Sequence, residues 1–179
     1  LWIGTNDNGL SVSIGESISN VLDVEDGLPA NSIRSITQGA DGSYYIGTTD
    51  ALQIIELNGG LRMSARIPEI VYAHSLAASD TGYVAAVTSS GLLFLMKDQE
   101  VVASMEPKPG QDIYTCCQFG ADGCLYVGTS GNILYVYDVS DGNWVRKATY
   151  TCEGLKQINS LYFTEQGQLF VCSDSGGGC

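Results

Sequence analysis

Hydrophobic and polar positions alternate along this chain in short runs of strand period, and no helical period persists anywhere. The stretch Gly27 to Thr48 shows the unit. Ser32-Ile33-Arg34-Ser35-Ile36 sets β-branched residues among small polar ones, Asp41-Gly42 makes a turn, and Tyr44-Tyr45-Ile46-Gly47-Thr48 follows as an aromatic and β-branched run. That sequence of signals is a β-hairpin. Read along the whole chain, the same signals predict strands over 1–5, 9–14, 20–24, 32–38, 44–49, 52–57, 62–67, 74–78, 83–88, 92–97, 101–105, 113–119, 125–130, 133–139, 144–149, 158–164 and 169–173. Asn58-Gly59-Gly60 and Asp141-Gly142-Asn143 read as outer turns, and Pro68, Pro107 and Pro109 as crossovers. The continuous apolar run Leu92 to Met96 predicts a strand packed on both faces.

The unit repeats. Gly42, Gly82, Gly123 and Gly167 lie 40, 41 and 44 residues apart. Each follows an apolar or thiol residue by six places (Ile36, Leu76, Cys117, Leu161) and precedes Thr48, Thr88, Thr129 or Ser173 by six. Leu1 to Thr5 matches Tyr44 to Thr48, so the chain opens inside a copy. A period of about 40–45 residues carrying four strands is the mark of β-propeller blades. The expected fold is therefore all-β, a partial β-propeller of about four blades with four antiparallel strands each, divided as 1–26, 27–67, 68–106, 107–151 and 152–179. Because propellers commonly close with about four to eight blades, a fragment of a larger propeller is expected. Its end faces, Leu1 to Leu10 and Leu161 to Cys172, would then be exposed apolar surfaces. The repeated aromatics Trp2, Tyr45, Tyr126 and Phe170 read as wedges between neighbouring blades.

The wording of the repeat carries a family resemblance. Gly27-Leu28-Pro29-Ala30-Asn31-Ser32-Ile33-Arg34-Ser35-Ile36, Asp41-Gly42, Tyr45 to Thr48, and Leu1 to Thr5 with Gly9-Leu10 resemble the two-component regulator propeller repeat. Two copies match well, Cys117 to Thr129 fairly, and Leu76 to Thr88 and Leu161 to Ser173 only in outline. The resemblance implies an extracytoplasmic sensor, periplasmic or on the cell surface, in a membrane-anchored bacterial histidine kinase, hybrid two-component system or diguanylate cyclase. It further implies a small extracellular ligand such as a carbohydrate. Binding would shift domain orientation or the geometry of a homodimer of the parent, and the remaining blades of the same propeller would be structural partners.

Composition narrows the alternatives. Eight Lys and Arg against twenty Asp and Glu give a formal charge of −12, which argues against nucleic acid and anionic membrane surfaces. No stretch is long enough for a membrane-spanning helix, and no signal peptide is present; for a fragment this leaves the location of the parent open. The six cysteines, Cys116, Cys117, Cys124, Cys152, Cys172 and Cys179, form no CxxC pair. Mostly free thiols are expected, with an inter-blade disulfide left open and Cys117 filling the core as a small hydrophobe. Neither the Asp-Gly turns nor Asn6-Asp7-Asn8-Gly9 provide the alternating oxygen ligands of a calcium loop, so no metal or other cofactor is expected.

Propeller ligands usually meet the loops that lead into the inner strands and the turns between second and third strands. Here those segments are 27–32, 68–74, 106–114 and 152–159, with 6–8, 49–50, 89–90, 130–131 and 174–175. They offer Asn31, Arg34, Tyr72, His74, Asp112, Tyr114, Lys156 and Asn159 as candidate ligand-binding groups. Each has a structural alternative. Asn31 belongs to the repeat motif and reads first as a loop cap, His74 could bond loop backbone, and Arg34 could serve a carboxylate, sugar hydroxyls or a structural ion pair. His74 is the only histidine, so this chain alone builds no histidine triad. Three functions remain: a ligand sensor, a protein-interaction scaffold without a small ligand, and a catalytic propeller such as a glycosidase or lyase. The last has only Asp50, Asp112 and Asp174 near the channel and no recognisable motif, so this region is not expected to be an enzyme.

Overall fold

A computed structural model describes residues 1–14, 17–57 and 59–173. The strands are β1 (Trp2–Gly4), β2 (Leu10–Ile14), β3 (Ser17–Leu22), β4 (Ile33–Gln38), β5 (Tyr44–Thr48), β6 (Leu52–Glu56), β7 (Arg62–Ile67), β8 (Ala73–Ala78), β9 (Tyr83–Thr88), β10 (Leu93–Lys97), β11 (Glu100–Met105), β12 (Tyr114–Phe119), β13 (Leu125–Thr129), β14 (Ile133–Asp138), β15 (Val145–Thr151), β16 (Ser160–Phe163) and β17 (Leu169–Cys172). The described residues contain no helix. They form five antiparallel meanders, β1–β3, β4–β7, β8–β11, β12–β15 and β16–β17, with every strand beside its neighbour in sequence. The first strands β4, β8, β12 and β16 touch one another in succession, so they form the inner edge of a row of blade-like sheets. The row does not close on itself among the described residues.

The cores lie between sheets rather than within any of them. In β9 and β10, Ala85, Val87, Leu93 and Leu95 pack toward the fourth sheet against Cys117, Leu125 and Val127. Val84, Ala86, Phe94 and Met96 point the other way, onto Tyr45, Ile54 and Ile70 of the second sheet. A two-residue side-chain period delivers both sets from one apolar run, which is why 92–96 carries no polar position. Corresponding cores join the first and second sheets through Leu10, Ile33 and Ile46, and the fourth and fifth through Cys116, Leu134 and Ile158. Cys117 does fill core, and burial pushes its thiol up to about 12. Cys116, Cys117, Cys124 and Cys172 are free thiols; Cys179 lies outside the described residues, as does Asn58 of the expected 58–60 turn.

Local chemistry moves several strand ends. The third strand ends at Leu22 rather than Val24, because Asp23 opens a turn: its carboxylate accepts from Glu25 N and its carbonyl from Leu28 N. Leu28 is thereby buried under the first two sheets, which accounts for the Gly-Leu-Pro motif. Three of the four repeated aromatics sit between blades. Trp2 stacks on Tyr44 at 4.0 Å, Tyr45 is buried, and Tyr126 meets Phe163 edge-on at 4.9 Å. Phe170 does not; it stands 47% exposed with no described sheet beyond it. The end faces are only partly apolar surface. Leu1, Ile3, Tyr162 and Phe170 are exposed, whereas Leu10, Leu161 and Val171 are buried, because alternate residues of an end sheet still face the neighbour inside the row.

Candidate functional site

Both expected loop sets lie at one end of the strands. Thr49 N donates to Ser32 O, Ser89 N to Tyr72 O and Ser130 N to Ile113 O, tying each turn after a second strand to the loop leading into the inner strand. The threonine that ends each motif closes that turn: Thr5, Thr48 and Thr129 hydroxyls donate to Gly9 O, Ala51 O and Ile133 O at 2.7, 2.7 and 2.9 Å. The Gly-Thr ending is thus turn chemistry, with the glycine serving close packing against the next sheet.

Each complete inner strand begins with a β-bulge, and the bulged residues are Arg34, His74 and Thr115. Asn159 occupies the same repeat position just before β16. A bulged residue is released from the pairing register, and these are released at the inner edge of the loop face. Arg34 is exposed and its guanidinium lies 4.5 Å from the centroid of the Tyr72 ring in the next sheet. His74 is also exposed, and its Nε2–H donates to Thr115 O at 2.7 Å. Thr115 in turn donates its hydroxyl to Ile158 O, beside Asn159. The four positions therefore form a continuous polar arc stitched across three sheet boundaries. Thr115 was not among the sequence candidates, although its spacing of two before Cys117 repeats that of Arg34 before Ile36 and His74 before Leu76.

The other candidates divide. Asn31 is a cap: its Oδ1 accepts from Val24 N at 2.9 Å and its carbonyl from Gly9 N. Asp112 is exposed in the loop before β12, with its carboxylate lying over Gly131. Lys156 is exposed, and Asn159 is half-buried with its backbone N donating to Cys172 O. Tyr114 corrects the expectation. It occupies the repeat position of the buried Ile33, Ala73 and Ile158, is itself 5% exposed, and packs edge-on to Tyr135 in the core. Burial, with Tyr137 beside it, raises its hydroxyl pKa. The bulge decides this: Tyr114 stays in register and turns inward, and Thr115 is the residue turned out. Asp174 and the 174–175 turn lie outside the described residues.

The arc carries groups of the kind that take part in binding. It offers a guanidinium, an aromatic face, an imidazole whose Nε2 is engaged, a hydroxyl and an amide. Among the described residues no three His, Cys, Asp or Glu side chains are grouped to hold a metal. A cleft of about 450 Å³, lined by 78–81 and 119–123, lies at the opposite end of the strands.

Strand meanders stacked through inter-sheet cores around a common inner edge define a β-propeller, here an open row of its blades. Residues 27–50 match the family described as two component regulator propeller, so the chain carries that family's repeat. Three solved structures share the fold. One is described as the extracellular domain of a hybrid two component system, BT3049, from B. thetaiotaomicron (TM-score 0.73, 17% identity, covering 99% of this chain and 25% of that one). Another is described as the extracellular domain of a one component system, BT4673, from the same organism (TM-score 0.70, 21% identity, 98% and 25%). The third is the WD40 β-propeller domain of Doa1 (TM-score 0.68, 15% identity, 96% and 56%). This chain thus spans about a quarter of the length of the first two. No curated protein matches it in sequence.

Proposed function

We propose that this chain is a ligand-sensing β-propeller region on the extracytoplasmic side of a bacterial signal-transduction protein. The observation that carries the reading is the match of 27–50 to the regulator-propeller repeat, a stretch that includes Arg34 of the polar arc. The likeness to extracellular domains of signalling systems supports the same side of the membrane. In this reading a small extracellular ligand, a carbohydrate by family analogy, meets the loop face. Binding biases the orientation of neighbouring domains or of a homodimer, and the output is generated outside this chain. The region itself is assigned no catalytic role.

A second reading, an interaction scaffold, is favoured by one observation. Val71 and Ile113 on the same loop face are 46% and 38% exposed. One experiment separates the two. The intact protein is coupled to its native output or a transcriptional reporter and challenged with a panel of simple and oligomeric saccharides, with and without Asn159→Trp to obstruct the arc. A saccharide-dependent output abolished by Asn159→Trp supports sensing. An output unresponsive to every saccharide but lost when Val71 and Ile113 are replaced by Ser supports the scaffold and refutes the sensor.

A further inference from the structure

Resting on the loop face as the ligand site, we infer that Arg34 and Tyr72 anchor a carboxylate group, so the ligand is a small monoanion rather than a neutral sugar. The chain has eight Lys and Arg residues, and most are engaged by the fold. Arg62 and Lys147 pair with Glu56 and Asp138. Arg66 donates to Gly27 O and Gln53 Oε1. Arg146 lies over Tyr135 and donates to Tyr137 OH, and Lys97, stacked on Tyr83 as Arg34 is on Tyr72, lies at the opposite end of the strands from the loop face. Arg34 differs in position and in use. It alone sits on an inner strand, it is exposed, and among the described residues no carboxylate or carbonyl takes its N–H donors.

The partner that holds Arg34 is itself unusual. Of the residues at its repeat position, Ser32, Tyr72, Ile113 and Gln157, only Tyr72 has a positive φ, at 55°. A tyrosine adopts that conformation against steric preference. Here the conformation places the ring beneath the guanidinium of the preceding sheet. Stacking uses the face of a guanidinium and fixes its plane, while the N–H donors around its edge stay available for a planar two-oxygen acceptor. A carboxylate has that geometry. Arg34 is the one cation among the arc residues Arg34, His74, Thr115 and Asn159, with exposed Lys156 in the loop before the last of them, so on a chain of formal charge −12 the arc suits one negative charge and disfavours a polyanion. Farther along the arc, two and three sheets from Arg34, the Thr115 hydroxyl and the Asn159 amide are suited to hydroxyls of a ligand that extends that far.

Glucuronate and glucose share a ring and differ by the carboxylate, so they are the probes. Their binding to the intact protein is measured by titration calorimetry at constant ionic strength, for wild type, Arg34→Ala, Arg34→Lys and Tyr72→Phe. The expected result is about tenfold or greater preference for glucuronate in wild type, lost in Arg34→Ala, partly retained in Arg34→Lys and kept in Tyr72→Phe, as a charge-assisted bidentate pair requires. Thermal melts of each variant establish that it folds, and Tyr72→Leu, which removes the ring but keeps the charge, gives a second route to the same loss. No preference in wild type, no glucuronate binding at all, or a preference that survives Arg34→Ala overturns the inference. Equal binding of both sugars, unaffected by Arg34→Ala but blocked by Asn159→Trp, would overturn only the carboxylate and leave the loop face as the sensing site. Equal binding that Asn159→Trp leaves intact would remove the loop-face reading as well.

Discussion

Replacing Gly47 by Ala tests how tightly the second and third sheets are pressed together. Gly47 sits in β5 opposite Ser35, and a methyl built there would collide with the carbonyl oxygen of Ala73 and with Ser35 Oγ, and lie 3.0 Å from Ala73 Cβ. The first of these atoms is backbone of the neighbouring sheet, so no rotamer change relieves it. The collision also falls on the Ser35 hydroxyl that donates to Ala73 O at 2.6 Å, the bond joining the two inner strands. Overpacking costs about 1–3 kcal/mol and a lost hydrogen bond about 0.5–1.5 kcal/mol, so Gly47→Ala is expected to destabilise by roughly 2–4 kcal/mol. Gly42→Ala is the internal control: its φ of +83° strains any side chain, but nothing lies within 4 Å, so the cost is about 1 kcal/mol. Urea denaturation of the intact protein, followed by tryptophan fluorescence and circular dichroism, reads both. Ser35→Ala removes one of the colliding atoms, so the double variant should cost less than the sum of the singles. A Gly47→Ala loss below that of Gly42→Ala, or strict additivity with Ser35→Ala, would refute this account of the interface.

Two further outcomes are expected. Asp98 and Gln99 form the β10–β11 turn with φ of +51° and +65°. Asp98→Gly should stabilise by about 0.5–1 kcal/mol, while Gln99→Gly should destabilise despite the same relief. The difference arises because Gln99 bridges Ser64 and Glu56 of the neighbouring sheet; chemical denaturation giving the two variants the same sign would contradict it. Alkaline pH should unfold the protein. Burial lifts Cys116 from 9.0 to about 11 and Cys117 from 9.0 to about 12. Burial, and then Asp41 and Asp98, lift Tyr45 from 10.0 to about 12. Each of these folded values lies above its unfolded one, so their contribution is fully present below about pH 9 and is lost as pH rises toward 11 and 12. The melting temperature should hold to about pH 9 and then fall, less steeply in Cys117→Val; a flat profile between pH 9 and 11 would sink the argument.

The candidate site was legible where position in the repeat implied position in space. Arg34, His74 and Asn159 fall at the inner edge of the loop face because the loops entering inner strands share one end of the sheets. Tyr114 did not follow, since one bulged residue exchanges which of two neighbours points inward, and a bulge has no composition of its own in Tyr114-Thr115-Cys116. Asn31 was readable as a cap because Asn binds nearby backbone wherever it sits.

The sequence by itself determined the strands, their antiparallel order and their grouping into sheets. Those features depend on interactions within a few residues: side-chain alternation, Asp-Gly turns, and threonines closing the next turn. Only the tertiary structure decided what each strand meets across a sheet boundary. Residues about forty positions apart come together there, as in Arg34 over Tyr72, Ser35 with Ala73 and His74 with Thr115. Such contacts are set by the twist and stacking of whole sheets, which no single repeat encodes, so chemistry at the inner edge becomes visible only when the sheets are side by side.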